Sequence, residues 1–371
     1  MKLIFDCTAL SKWEGRTTGI QRVISEIGRS LPKHIPGVEL AILSPKNGGW
    51  LRYHLESRSI GEAVEVVSGD LIFTAGHNWD HPEHFQALIG YTERGVQLGT
   101  LYYDIIPILF PFTYGPGFVP LFETWLQESL QRSACAFAIS ESSARDVAAY
   151  SRKHGYKTPQ VHTLRLGDDL PGSDEVVSDR IAEKTSVRYI LSVGTIEYRK
   201  NHNLLLDTWR YMIDDLGVTP PNLYIVGRLG WLHNDIPYQL DNDPRLAGRV
   251  AVLSDLSDAD LKHLYQNALF TVYPSIYEGW GLPIAESLGF GKVCVASNTS
   301  SMVEIAPGLV RFAHPRMVSE WAEQISELSE NPDVLAAEEA RIAAEYSLGT
   351  WEQSAAQLAR GLIAQYPELG E

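Results

Sequence analysis

Cysteine is scarce in this chain, excess positive charge and long apolar runs are missing, and each lack narrows what it can be. There are 3 cysteines in 371 residues. Cys7, Cys135 and Cys294 lie far apart, each inside an apolar strand-like run; their spacing suits neither a disulfide framework nor a thiolate metal site, so they read as reduced core residues. Lys and Arg number 31 against 46 Asp and Glu, a formal net charge of −15. Phosphate-backbone binding needs clustered cations, and their lack excludes a nucleic-acid partner. No uninterrupted apolar stretch has the length that spans a bilayer. The amino terminus, MKLIFDCTAL, enters a short strand without the apolar segment or cleavage site of a secretory signal. The expectation is a cytoplasmic protein, with peripheral contact at the inner face of a membrane left open. A strand-linked G-x-G-x-x-G with its downstream acid is also absent, which sets aside a nicotinamide dehydrogenase.

What is present is a globular composition, 44% hydrophobic and 21% charged, free of Gly/Ser-rich and Gln/Asn-rich tracts. The length exceeds what one core usually serves, so two domains are expected. Short apolar runs alternate with helical stretches: KLIFD, then 19–31; VELAIL; DLIFTA, then 83–93; VQLGTLYYD, then 118–132; CAFAIS, then 142–154; and VHTLRL. That alternation is the α/β pattern of a parallel sheet with helices on both faces, and residues 1–170 read as one doubly wound, Rossmann-like domain. Residues 171–186, polar, acidic and without apolar periodicity, read as an exposed linker. The alternation restarts over 187–349 with VRYILSVG, NLYIVG, RVAVLS, LFTVYP, KVCVAS and LVRFA, and the segment 350–371 closes the chain with a helix over 350–366. Sheets of this kind bind ligands beyond the carboxyl ends of their strands, so the expectation is two domains facing each other across a cleft.

Two stretches after strands carry candidate chemistry. In SIYEGWGLPIAESLGFGK a loop with Glu278, Gly279 and Gly281 leads into a helix that Pro283 suits in its first turn and that contains Glu286. Free amides at a helix start attract an anion such as a diphosphate, and glycines let it approach the backbone. Carboxylates beside an anion repel it unless the ligand also presents hydroxyls, whose diols a carboxylate accepts in pairs. The alternative is a pair of solvated glutamates that stabilise the helix dipole. In LSVGTIEYRKNHNLLLDTW a strand ends at Gly194, Arg199 and Lys200 follow, and Asn201 is placed to cap a helix. Two cations at a helix entry oppose its dipole unless an anion sits there; the alternative is an ordinary solvated surface.

VGTIEYRKNHNLLL, LYIVG, LSDADLKHLYQNALFTVYPSIYEGWGLPIAESLGFGKVCVAS and SSMVEIA, in this order and spacing, resemble the donor half of the large retaining GT-B glycosyltransferase family that contains many mannosyltransferases and sucrose-type synthases. The resemblance covers 188–306 and is most specific in the Glu-x7-Glu pair. It implies that Arg199 and Lys200 hold a donor diphosphate, Glu286 the nucleotide ribose and Glu278 the transferred sugar. Gly194, Gly279 and the backbone at Gly281 and Leu282 would meet phosphate or sugar. Many members have Arg directly after the strand-ending glycine, where this chain has Thr195, so Arg199 must supply the guanidinium.

The first half resembles the family in TTGIQRVISEI and AISESSARDV, which carries the loop near the donor phosphates over to Gly19 and Arg22. In LYYDIIPILFP many relatives have His-Asp where this chain has Tyr103 and Asp104. A tyrosine, with a pKa near 10, is a poor base at neutral pH; it either donates to a sugar hydroxyl or packs as a strand-end aromatic. Asp104 keeps the family carboxylate and is a candidate to bind or deprotonate an acceptor hydroxyl. TAGHNWDHPEH offers His77, Asn78, Trp79 and Asp80 to the acceptor side, or to a plain surface loop. The aromatic stretch from Ile108 to Trp125 shapes an acceptor pocket, touches lipid or simply packs.

The resemblance implies transfer of a hexosyl unit, by same-face displacement without a resident metal or other cofactor, from a nucleotide-diphosphate sugar such as GDP-mannose to a saccharide or lipid-linked saccharide acceptor. It implies bacterial surface polysaccharide or O-antigen assembly as the setting and a last helix that returns to the first domain. Tyr103 prompts the alternative of a non-catalytic sugar-nucleotide-binding protein of the same fold.

Overall fold

Two sheets organise the chain, built from the apolar runs read above. A computed structural model describes residues 1–11, 19–44, 48–169, 176–230 and 235–371. In the first half lie β1 (Leu3–Asp6), β2 (Glu39–Leu43), β3 (Trp50–His54), β4 (Ser59–Val64), β5 (Leu71–Thr74), β6 (Gln97–Tyr102), β7 (Ser133–Ala138) and β8 (Val161–Thr163). They form one sheet in the order β4-β3-β2-β1-β5-β6-β7-β8. Every residue of β1 and β5 is buried, as expected where helices cover both faces of a central parallel strand.

The expectation of a wholly parallel first sheet is corrected at one edge. β3 and β4 run antiparallel to their neighbours. Their burial is broken and largely outward-facing, apart from residues such as Trp50 and Tyr53, so WLRYH and SIGEAV do not read as the continuous apolar runs of a central strand.

The second half contains β9 (Tyr189–Val193), β10 (Asn222–Val226), β11 (Val250–Leu253), β12 (Thr271–Tyr273), β13 (Cys294–Ser297) and β14 (Arg311–Ala313). Their order is β11-β10-β9-β12-β13-β14, and all pairings are parallel. By contacts the chain separates into one unit of Met1–Pro111, Pro116–Gly167 and Gly349–Glu371, and another of Phe112–Gly115 and Asp168–Leu348. The helix Trp351–Gln365 thus falls in the first unit. A capping box of Thr350 and Gln353 starts it, which satisfies amides that would otherwise lack partners. Its Trp351 packs so tightly on Gly167 that a β-carbon there would lie 2.6 Å from the Trp351 nitrogen.

The expected linker is shorter than 171–186. Residues 171–175 lie outside the described residues, but Asp179–Lys184 is a helix with Ile181 fully buried. Its entry is fastened by Ser178, whose backbone N donates to Asp260 Oδ1 at 2.8 Å. Asp260 belongs to the capping box of the helix Asp258–Asn267. A six-residue helix with Ile181 as its one large apolar side chain gives no periodicity, so sequence could not separate it from a linker.

Candidate functional site

β9 and β12 are neighbours in the second sheet although about eighty residues separate them. Their following loops therefore meet. Ile276 N donates to Arg199 O at 2.9 Å, and Arg199 Nη1 donates to Tyr277 O at 2.8 Å. Asn201 is not the side-chain cap the sequence suggested. Its φ is +60° with no capping bond, and its Nδ2 instead donates to Pro274 O at 3.0 Å and Pro315 O at 2.9 Å. The side chain thus ties together the loops that follow β12 and β14.

The result is a compact ion cluster. Glu278 Oε1 accepts from Lys200 Nζ at 2.6 Å, Glu278 Oε2 lies 2.7 Å from Arg199 Nη1, and Arg199 Nη2 donates to Glu197 Oε1 at 2.7 Å. This corrects the picture of two uncompensated cations at a helix entry: two carboxylates balance them. Burial alone would raise the Glu278 carboxyl, but Arg199 and Lys200 outweigh it and bring the pKa down to about 2. Burial pulls Lys200 below its usual value, with Glu278 opposing and Arg199 adding to the effect. His202, the first residue of the next helix, is lowered to about 3 by burial and by Lys200.

The helix after β12 spans Leu282–Gly289. Gly281 precedes it at φ +141°, a backbone state that side-chain-bearing residues rarely adopt, and Pro283 occupies its first turn. The approach is braced from below: Glu278 N donates to Ser300 Oγ at 2.9 Å, and Ser301 Oγ bonds Glu278 O at 2.9 Å and Trp280 O at 2.6 Å. Glu286 is buried inside the helix, where it accepts from Tyr265 OH at 3.0 Å through Oε2. Gly194, Arg199, Lys200, Glu278, Gly279, Gly281, Leu282 and Glu286 all lie in this second unit. Glu197, Tyr265 and Tyr273 were missed by sequence reasoning; the one local signal was Glu197's place two residues before Arg199.

The first unit treats its candidates differently. Tyr103 is buried, burial pushes its phenol well above 10, and its hydroxyl donates to Ala75 O at 2.8 Å. Its one proton is committed to the fold, which supports the packing alternative over donation to a sugar. Asp104 is partly buried, and its Oδ1 accepts from Ile106 N at 2.9 Å. Asn78 is no surface-loop residue: it is buried, and its Nδ2 donates to Thr74 Oγ1 at 2.7 Å. Trp79 packs at 5.3 Å from Phe122 and 4.9 Å from Trp125 between ring centroids, so it belongs to an aromatic core, as do those two members of the 108–125 stretch. His77 is partly buried between Trp79 and His81; burial and then His81 lower its pKa. Asp80 is exposed. Arg22 is buried under the Trp351 ring, 5.4 Å from its centroid, while Gly19 stands at φ +55° before the helix Ile20–Ser30.

Residues 174–347 match the family model described as Glycosyl transferases group 1. The second domain belongs to that family. Over 311 residues the chain is 29% identical to the serotype-specific mannosyltransferase WbdA of Escherichia coli, across 77% of this chain and 36% of that protein. It is 30% identical over 232 residues to the O-antigen chain mannosyltransferase B of Escherichia coli, across 61% of this chain and 58% of the relative. The chain thus spans little more than a third of the length of WbdA. Among solved structures, Anabaena Alr3699/HepE in complex with UDP and glucose superposes with a TM-score of 0.67 at 16% identity, covering 98% of this chain and all (100%) of that one. Sucrose-phosphate synthase from Thermosynechococcus elongatus gives 0.65 at 17% identity, covering 99% and 100%. At such identities the likeness is one of fold, and the glycosyltransferase domain together with the first sheet makes up the two Rossmann-like units of GT-B.

Among the described residues no helix is long and apolar enough to cross a membrane.

Proposed function

We propose that the chain is a retaining hexosyltransferase that takes its sugar from a nucleotide-diphosphate donor and delivers it to a sugar hydroxyl, in the assembly of a bacterial surface polysaccharide or O-antigen. One observation carries the reading: Glu278 grips Arg199 and Lys200 at the entrance to the helix Leu282–Gly289, which also carries the buried Glu286. Acids alone would repel a diphosphate, and cations alone would ignore the sugar hydroxyls. Their combination at one helix start suits a molecule that has both.

The donor diphosphate would lie against the helix amides, Arg199 and Lys200, with Gly194, Gly279, Gly281 and Leu282 allowing close backbone approach. Glu286 would take the ribose and Glu278 the hexose. The acceptor falls to the first domain, where Asp104 would bind its hydroxyl. In the proposed step the bond from the anomeric carbon to the diphosphate oxygen breaks, and a bond to the acceptor oxygen forms on the same face. The acceptor's proton passes to the departing diphosphate, whose growing charge Arg199, Lys200 and the amides stabilise in place of a metal. Mannosyltransferase relatives and the UDP and glucose held by HepE support a nucleotide-sugar donor, with GDP-mannose preferred; the lipid-linked form of the acceptor suits an enzyme working at the inner membrane face.

A binding-only protein of the same fold is the second reading, favoured by the commitment of Tyr103's hydroxyl proton to Ala75 O. Thermal-shift screening against GDP-mannose, UDP-glucose and related donors tests the first premise, because a ligand of the folded state raises apparent stability. A rise with one donor followed by turnover on a saccharide acceptor, with the anomeric configuration retained by NMR, is expected. A rise without turnover on a broad acceptor panel selects the second reading, and no rise with any donor removes both.

A further inference from the structure

Each acid of the Glu-x7-Glu pair has a buried phenol at its back. Tyr273 ends β12, 3% exposed, with its hydroxyl 3.0 Å from Glu278 Oε1, to which it donates. The same oxygen of Tyr273 accepts from Lys200 Nζ at 2.7 Å. Tyr265, on the helix Asp258–Asn267, is fully buried, donates to Glu286 Oε2 at 3.0 Å and stacks on Phe290 with ring centroids 5.2 Å apart. Burial and the adjacent carboxylate push both phenols well above 10, so each remains a neutral donor.

A carboxylate oxygen offers about two lone-pair directions. At Glu278, Oε1 meets both Lys200 Nζ and Tyr273 OH. That oxygen is filled. Oε2, which meets Arg199, is the one left to receive a hydroxyl of the sugar. Glu278 is therefore not arranged to take a diol through both oxygens. At Glu286 the phenol engages Oε2 from within the core, which fixes the plane of the carboxylate as seen from the helix start.

We propose that Tyr273 and Tyr265 are positioning residues that divide the two ends of the donor site. Tyr273 holds Glu278 so that one oxygen, Oε2, reads a hydroxyl of the transferred hexose. Tyr265 holds Glu286 for the ribose of the nucleotide. The proposal rests on the donor site described under the proposed function. A glutamate rotates about several bonds, and a fixed donor behind it removes that freedom before the ligand arrives.

The two isosteric variants Tyr273→Phe and Tyr265→Phe separate the ends. Calorimetric titration of the unaltered protein with GDP and UDP comes first: if neither binds, the donor-site reading itself fails. Given binding, Tyr265→Phe is expected to weaken nucleoside-diphosphate affinity and raise the donor KM about tenfold, with kcat little changed. Tyr273→Phe is expected to leave nucleoside-diphosphate affinity within about twofold, lower kcat about tenfold and reduce discrimination between the preferred donor and its sugar epimers. Combined with Glu278→Gln, Tyr273→Phe should add little further loss, since it acts through that carboxylate. Thermal unfolding of each variant checks that it is folded. Should a Phe variant not fold, 3-fluorotyrosine at that position, which keeps shape and hydroxyl while changing its acidity, must move the same parameter. Equal losses in the same parameter from both positions, additive losses with Glu278→Gln, or no change at all overturn the proposal.

Discussion

Lys200 Nζ lies 2.6 Å from Glu278 Oε1, a contact that makes the second domain sensitive to acid. The Glu278 carboxyl titrates near 2 in the fold against 4.5 as its ordinary value. Because the folded value is the lower one, the stabilisation is complete above about pH 4.5 and is lost as pH falls towards 2. At about 1.4 kcal/mol per pH unit that gap corresponds to about 3 kcal/mol. Urea midpoints should fall between about pH 5 and pH 3, and Glu278→Gln should flatten that dependence. An identical pH profile in the variant would show that the pair does not govern it.

Gly227 follows β10 so closely behind Gly194 that a β-carbon on it would lie 2.0 Å from the Gly194 carbonyl oxygen. The loops cannot easily part, since Gly194 N bonds Val226 O at 2.9 Å and Ile196 N bonds Arg228 O at 2.8 Å. Gly227→Ala should therefore destabilise the domain by about 1–3 kcal/mol and displace the loop that leads to Arg199 and Lys200. Denaturant titration and nucleotide calorimetry read both effects. Intact nucleotide affinity in a destabilised variant would uncouple this loop from the site.

Removal of either charge type should weaken the donor complex. Lys200→Ala takes away a cation and leaves the Glu278 carboxylate with Arg199 and the Tyr273 hydroxyl, while Glu286→Ala removes the acceptor of the proposed ribose contact. Each is expected to raise the donor dissociation constant about 10- to 100-fold, the range of a hydrogen bond to a charged group. Only the Lys200→Ala complex should also show a reduced dependence on salt. Wild-type affinity in both variants would reject the site.

Asp104→Asn keeps an oxygen to accept from Ile106 N, the bond seen at 2.9 Å, so the fold should survive. Loss of the negative charge should lower kcat about tenfold or more with donor KM little changed. Steady-state kinetics with the preferred donor and acceptor checks the split. An unaltered kcat would remove Asp104 from the acceptor site.

Tyr103→Phe distinguishes packing from chemistry. Loss of its hydroxyl leaves the buried Ala75 carbonyl without the bond seen at 2.8 Å, which should cost about 1 kcal/mol of stability. With packing as its role, kcat should fall by less than about twofold. A large fall in kcat with stability unchanged would restore Tyr103 to the sugar.

Local pattern determined a good deal of this protein. Runs such as LIFT and YILSV are apolar along almost their whole length because both faces of a central parallel strand are covered, and that composition is visible before any partner is known. The helix start at Leu282, with Gly281, Pro283 and the two acids, was legible for the same reason: its meaning lies in adjacent residues. The hairpin β3–β4 was not, because an edge strand faces solvent and loses the apolar run. Trp79 and Asn78 looked like loop residues, yet Asn78 is buried and Trp79, partly buried, packs against the core, since burial depends on what the rest of the chain folds over them. Tertiary structure alone decided that Glu278 would meet Arg199 and Lys200, 79 and 78 positions away. It also set Tyr265 and Tyr273 behind the two acids. The reason is sheet order: β12 pairs with β9 rather than with β11, which precedes it in sequence. Side-chain periodicity records which face of a strand is buried, but carries no record of which strand will lie beside it.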